Sequence, residues 1–379
     1  MRTLLLLRGT MATMPGLPIV IGLTGGIGTG KSNVRETLQS LGAEGIDADR
    51  VAHEVITPGM PAYAGVIARF GAAILAPQGE IDRQRLGALV FASVAALREL
   101  EAIIHPAVEV AIQARVAASQ APLVVIEAIK LLEAGLAAAL CREVWVTHCS
   151  VRQQIARLAG SRGLSAAEVR RRMALQMSPA EMIARADRVI DTRGTIAETR
   201  VQLPPAWRAL GMEFPPPRIT PAGADEAEGL AAVLNCVARE GELSVIDRTF
   251  TPAQERAFLR RLPDRSFVIV AHTGSVLGGF QVLEPYASYT RAMDHVGTLG
   301  SYVLASLRGR GLGRAMLAVT LAHAREAGFK KLTIAVRSDN PLAIAFYVRH
   351  GFVPCGRLAR QAFVAGRYVD ELLFERFTD

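Results

Sequence analysis

At 379 residues the chain is too long for one ordinary domain and fits two or three. Half of the residues are hydrophobic and 6% are aromatic, enough for two cores of Ala, Leu, Val and Ile, and no stretch is apolar and uncharged for long enough to span a membrane. The net charge of +8 is spread over dispersed basic residues, with no long Lys/Arg run and no interleaved aromatics, which argues against nucleic acid and for small polyphosphate ligands.

Residues 1–15 read as an N-terminal extension, with Met11 and Met14 close to the first strand and an apolar run at 4–7 too short for a signal-peptide core. Residues 18–23 (PIVIGL) are a buried-type strand, and 33–40 read as a helix. Between them lies GGIGTGKS, which fits the phosphate-loop pattern GxxxxGK[ST] at every fixed position. In it Gly25, Gly26, Ile27, Gly28, Thr29 and Gly30 form a backbone cradle for phosphate oxygens at a helix N-terminus. Lys31 is placed for the β- and γ-phosphates, and the Ser32 hydroxyl for Mg²⁺.

A second strand at 43–46 ends in Asp47-Ala48-Asp49, carboxylates at the ligand edge expected of an open parallel sheet. A mostly helical stretch over 50–120 holds His105-Pro106 near its end. Strands follow at 122–126, ending at Glu127, at 144–146 and at 188–190. Helices are expected at 151–158 and from a capping box at Ser165-x-x-Glu168 to about 176. The alternation predicts an α/β fold with a doubly wound parallel sheet and a helical lid, over 16–203.

Pro204-Pro205 and Pro215–Pro217 bound a stretch, 204–217, that reads as a proline-rich linker. Residues 218–379 have a different rhythm: helices near 225–239, 311–327 and 342–350, a Thr251-Pro252 helix start, a hairpin of strands at 267–271 and 276–283, and strands at 296–304 and 331–336. This predicts a second, α+β domain with a mixed or antiparallel sheet. The four cysteines, Cys141, Cys149, Cys236 and Cys355, form no metal-type spacing and read as free thiols of a reducing, cytoplasmic compartment.

Phosphoryl transfer needs a cradle for the donor, a cation for the developing charge, and a base to orient the acceptor hydroxyl. Asp47 and Asp49 are the base candidates. In this setting residues 18–200 resemble dephospho-CoA kinases through an ordered set of segments: LTGGIGTGKS, IDADRVAHEV at 46–55, PG-x-PAY at 58–63, FG at 70–71, HP at 105–106, EAIKLLEAG at 127–135, RLAGSRGLS at 157–165 and ADRVIDTRG at 186–194. The resemblance implies ATP-dependent phosphorylation of the ribose 3′-hydroxyl of dephospho-CoA. It makes Asp49 the general base, Asp47 its structural or metal-side partner, His105 a lining of the acceptor site, and Arg157 and Arg162 lid guanidinium groups. Glu127 stands where aspartate is usual and would support the metal. Asn33, Lys130, Ser161 and Thr192 also depart from the common pattern.

In the second half, Arg308-Gly309-Arg310-Gly311-Leu312-Gly313 follows a strand and opens a helix, a further anion cradle. With Asn340-Pro341, Tyr347 and Gly351-Phe352 it resembles GNAT acetyltransferases over about 218–376. The resemblance implies acetyl transfer from acetyl-CoA to an amine. The Arg308–Gly313 loop would hold the pyrophosphate, backbone N–H groups near Val303 and Leu304 would polarise the thioester, Asn340 would contact pantetheine, and Tyr347 would protonate the leaving thiolate. Glu284, Asp294 and His295 are possible bases, and none is singled out. Two other readings stay open: another small-molecule phosphate-loop kinase, and a non-catalytic acetyl-CoA-sensing module in the second half. The partners expected are small molecules.

Overall fold

Residues whose side chains are apolar on both faces of a strand belong in the middle of a parallel sheet. Strands β1 (Ile19–Thr24) and β3 (Leu123–Glu127) meet this description: β3 is buried at all five positions. In the computed structural model, which describes residues 18–133, 135, 140–241 and 243–378, they pair in parallel at the centre of a five-stranded sheet. With β2 (Glu44–Asp47), β4 (Glu143–His148) and β5 (Arg188–Asp191) the order is β2-β3-β1-β4-β5, all parallel. The chain therefore turns to opposite sides of β1, and the loop after β1 lies at the switch point where ligands of such sheets bind. The expected extension at 1–15 lies outside the described residues.

Helices α1 (Lys31–Ser40), α2 (Ala48–Glu54), α3 (Tyr63–Phe70), α4 (Arg83–Phe91) and α5 (Val94–Ala118) follow the first strands. His105-Pro106 lies inside the 25-residue α5, the last helix of the expected helical stretch, and the helix continues through the proline. After β4 come α6 (Val151–Arg162), α7 (Ala166–Ala174) and α8 (Pro179–Ala184). The Ser165–Glu168 capping box forms as expected, and a further one at Ser178–Glu181, unforeseen, starts α8.

The chain divides into two compact units after Gly194. The proline-rich stretch falls within the second, and its first part is helical. Helix α9 (Ile196–Arg200) is followed by α10 (Leu203–Ala209), with Pro204 in its first turn. The first N–H groups of a helix have no intrahelical partner, so prolines start a helix as readily as they end one. Trp207 is wholly buried, and its indole N–H donates to the Glu213 carbonyl at 2.9 Å.

The second unit is built on a seven-stranded mixed sheet of order β11-β12-β10-β9-β8-β7-β6. Its strands are β6 (Arg218–Pro221), absent from the sequence expectation, β7 (Phe267–Thr273), β8 (Val276–Pro285), β9 (Val296–Val303), β10 (Lys331–Arg337), β11 (Val353–Val364) and β12 (Arg367–Phe377). Helices α11 (Ala227–Glu240), α12 (Pro252–Arg260), α13 (Leu312–Glu326) and α14 (Pro341–Arg349) accompany it. Among the described residues of this sheet only β9 and β10 pair in parallel, from Val296–Thr298 against Lys331–Thr333. Beyond those residues β9 stays with β8 and β10 with β12, so the two strands part. Among the described residues no helix is long and apolar enough to cross a membrane, and all four cysteines are free thiols.

Candidate active sites

The loop after β1 takes its shape from backbone that side chains resist. Gly25, Gly28 and Gly30 have φ of 146°, 75° and 88°, and a Cβ at Gly25 would lie 2.4 Å from Thr147 Oγ1. The loop is fastened from several elements. Thr29 Oγ1 donates to the Gly26 carbonyl at 2.7 Å and meets Thr147 Oγ1 at 2.7 Å. Thr192 Oγ1 donates to the Thr29 carbonyl at 2.7 Å, and the Ile27 N–H donates to Gln176 Oε1 at 3.1 Å. Thr192, one of the departures from the common pattern, is thus a strut of the cradle.

Lys31 is buried, and its ammonium donates to the carbonyls of Gly25 (3.0 Å) and Gly26 (3.3 Å). Burial lowers its pKa, with Glu127 and Asp49 opposing. Ser32 Oγ donates to Glu127 Oε1 at 3.0 Å, and Glu127 Oε2 is 2.8 Å from Arg35 Nε. Burial raises the Glu127 pKa against the pull of Arg35 and Lys31. Lys130, unexpected in its segment, pairs with Glu101.

Asp47 ends β2 and caps α2, accepting the Arg50 N–H at 3.0 Å. Asp49 lies in the first turn of α2 and is exposed as a residue, while its carboxyl is partly desolvated by the protein around it. That desolvation raises its pKa first and Asp47 second, while Lys31, His53 and Arg162 draw it down. Lys31, Asp47, Asp49 and Arg162 therefore share one electrostatic neighbourhood, and Lys31 feels Glu127 as well. His53 belongs there too: burial lowers its pKa, Arg83 adds to this, and Asp49 opposes. Its position four residues after Asp49, on the same helical face, was the available signal.

Arg157 and His105 are placed differently. The Arg157 guanidinium is held by Thr192, through its Oγ1 at 3.4 Å and its carbonyl, beside Gly30. His105 is half-buried in α5. Neither is among the charges that act on Asp49.

In the second unit the candidate site lies where β9 parts from β10. Leu304 N–H is already donated to the Gly278 carbonyl at 2.9 Å, so of the two expected amides only Val303 is left for a thioester. Antiparallel alternation directs the Val303 N–H away from β8, toward the parted strands. Arg308 donates to the Val303 carbonyl at 3.0 Å and to Glu240 at 2.6 Å, so its side chain braces the loop. Gly309 and Gly311 have φ of 75° and 85°, and Gly311 caps the 15-residue α13. Arg310 stacks on Phe214, 4.8 Å from the ring centroid. Leu312 is buried, and a Cβ on Gly313 would meet the Phe346 ring at 3.3 Å.

Asn340 caps α14, accepting the Ala343 N–H at 3.1 Å and donating to the Leu243 carbonyl at 3.0 Å, a bracing role in place of a free amide. Tyr347 is buried, and its hydroxyl donates to Ser301 Oγ at 2.9 Å. Burial pushes its pKa up to about 12, with the Ser301 bond opposing, so the phenol stays protonated at neutral pH. Gln281 Nε2 also donates to Ser301 Oγ, at 2.9 Å, and its Oε1 accepts from Thr320 at 2.7 Å. This buried chain joins residues far apart in sequence and left no local signal. Asp294 and His295 precede β9, at the end away from Val303.

Comparison with known proteins follows the same division. The family model described as Dephospho-CoA kinase matches residues 19–198, and that of the Acetyltransferase (GNAT) family matches 236–352. The dephospho-CoA kinase of Geobacter metallireducens is 45% identical over 193 residues, covering 50% of this chain and 96% of that protein. That of Symbiobacterium thermophilum is 43% identical, over 50% and 80%. The solved structure of a GNAT-family acetyltransferase from Streptococcus pneumoniae is 24% identical with a TM-score of 0.40, over 43% of this chain and 99% of that one. On the first half's identity and near-complete coverage of its relatives, the chain belongs to the dephospho-CoA kinase family, and a region that matches the GNAT family model follows.

Proposed function

We propose that the unit ending at Gly194 transfers the γ-phosphoryl group of ATP to the ribose 3′-hydroxyl of dephospho-CoA, giving CoA and ADP. The unit from Thr195 onward transfers acetyl from acetyl-CoA to an amine. The observation that carries the first reading is Asp49, a carboxylate at the carboxyl edge of the parallel sheet within the field of both Lys31 and Arg162.

In this reading Lys31 exchanges its two loop carbonyls for donor phosphate oxygens, and the loop N–H groups hold the rest of the phosphate chain. Asp49 accepts the proton of the attacking hydroxyl, and Arg162 offsets charge on the transferring group. Ser32 and Glu127 present hard oxygen donors side by side, a set that suits Mg²⁺ completed by phosphates and water. When bound, that ion supplies charge neutralisation along the phosphate chain. Among the described residues there is no cluster of three or more carboxylate, His or Cys ligands, in keeping with a metal held mainly by its substrate.

For the second unit, Val303 N–H faces the thioester oxygen and Tyr347 donates its proton to the departing sulfur. Both readings are tested on the full chain. CoA formation from dephospho-CoA and ATP is expected, along with saturable acetyl-CoA binding. Phosphorylation of a nucleoside in place of dephospho-CoA would sink the first reading, and absence of acetyl-CoA binding the second.

A further inference from the structure

One face of the β8–β9 ladder carries polar groups that have no hydrogen-bond partner among the described residues. Glu255, on α12, is only 5% exposed, yet among the described residues its carboxylate has no hydrogen bond and no ion pair. Burial raises its pKa, and no cation opposes the rise. Tyr302 stands on β9 directly opposite Phe280, with ring centroids 4.9 Å apart. Its ring lies back over Gly300, where a Cβ would sit 3.7 Å from the hydroxyl, so the phenol leans along the strand toward Thr298. Opposite Thr298 is Glu284. The Tyr302 phenol is raised by burial first, then by Glu255 and then by Glu284, so both carboxylates lie within electrostatic reach of it. Neither Tyr302 nor Glu284 has a side-chain hydrogen bond among the described residues. Glu255 is buried and Tyr302 and Glu284 are half-buried; a buried carboxylate requires a partner, and what all three groups lack among the described residues is a donor.

We propose that Glu255, Tyr302 and Glu284 form the recognition site for the acetyl acceptor. They select a primary alkylammonium with no carboxylate on the neighbouring carbon, and Glu255 takes up the proton that its nitrogen must lose. An ammonium has three N–H donors and no acceptor, which matches the three groups, whereas a carboxylate beside the amine would face two like charges. The side chains of β9 alternate, so Ser301 and the Tyr347 bound to it are on one face and Tyr302 is on the other. Acetyl-CoA and the amine thus approach from opposite faces, with the Val303 N–H at the parted edge between them.

The proposal rests on the acetyltransferase reading. Glu255 accepts one proton, and the freed nitrogen pair forms the bond to the acetyl carbon. The C–S bond breaks, sulfur leaves with its electron pair, and it takes the Tyr347 proton. The second proton lost by nitrogen makes up for the one Tyr347 gave. The products are the amide, the CoA thiol and one proton, released from Glu255.

The test uses the full chain with acetyl-CoA and two probes that differ by one carboxylate, n-propylamine and 2-aminobutanoate. Transfer is followed by thiol release and by the mass of the amide. Transfer to n-propylamine is expected, with kcat/KM at least about tenfold above that of 2-aminobutanoate. Glu255→Gln lowers kcat/KM for n-propylamine by about 100-fold while the Kd for acetyl-CoA is unchanged, which also shows the variant folded. Tyr302→Phe raises KM and leaves kcat within about threefold, as loss of a binding contact alone would. Equal use of both probes, or a Glu255→Gln variant within threefold of the parent, overturns the proposal. If acetyl-CoA does not bind or no amide forms, carboxyl ¹³C resonances of Glu255 and Glu284 are titrated with n-propylammonium. A saturable shift lost in Glu255→Gln supports the site even then, and no saturable shift overturns it. Failure of acetyl-CoA to bind counts against the acetyltransferase reading alone.

Discussion

Asp47 and Asp49 stand two residues apart, and the fold uses them differently. Asp47 is tied to the Arg50 N–H as a helix cap, while Asp49 is left facing Lys31 and Arg162. Asp49→Asn keeps the shape and removes the proposed base, so kcat for CoA formation should fall by about 10²–10⁴-fold. ATP affinity, measured by calorimetry, should be retained; turnover near the parent's would remove Asp49 from the role. The crevice raises the Asp49 pKa, and a base works only when ionised, so the acidic limb of kcat/KM should lie above the ordinary aspartate range. Asp47 is the second cause of that rise. Asparagine caps helices as well as aspartate, so Asp47→Asn should move the limb to lower pH without unfolding α2. The linkage has the opposite sense for stability: a raised carboxyl pKa contributes most below the unfolded-state value, and that contribution is lost as pH climbs through the folded one.

Among the elements, the phosphate loop shows best what a sequence reveals and what it hides. Its identity was legible because phosphate binding imposes fixed spacings on adjacent residues. Its fastenings were not. Thr147, Gln176 and Thr192 reach it across 118, 149 and 163 residues, and no local pattern encodes such meetings. Helix α10 was misread for a related reason: a proline pair has the same appearance before a helix as after one, and burial of Trp207 decides between them. Gly28 offers a test at this scale. Its φ is 75°, and a Cβ would come within 3.0 Å of Leu158, which packs with Ile27 and Val169. Gly28→Ala should cost about 1–3 kcal/mol in thermal or denaturant unfolding and weaken ATP binding. A variant as stable as the parent would show that the loop is less constrained than this.

At the scale of the whole molecule, the two-part organisation was legible in the change of rhythm along the chain, but the point of division was not. Proline composition drew it at 204, whereas the compact units meet after Gly194. The intervening α9 packs on α11, and Thr199, Val201 and Leu203 are buried. A chain starting at Thr195 should therefore be more stable than one starting at Pro204, by about 5 °C or more in Tm. Equal melting temperatures would return the boundary to the prolines. The proposed acceptor face of the second unit was hidden for a further reason: Glu255 is informative only through the partner it lacks among the described residues.

The resting place of Lys31 has one more consequence. Its ammonium donates to two carbonyls of the same loop, so the cradle carries a competitor for its own lysine. A ligand that ends before the β-phosphate gains the loop amides but leaves this internal clasp shut. A phosphate chain that reaches Lys31 must draw it off those carbonyls, so AMP, ADP and ATP should differ in affinity by more than their charge alone accounts for.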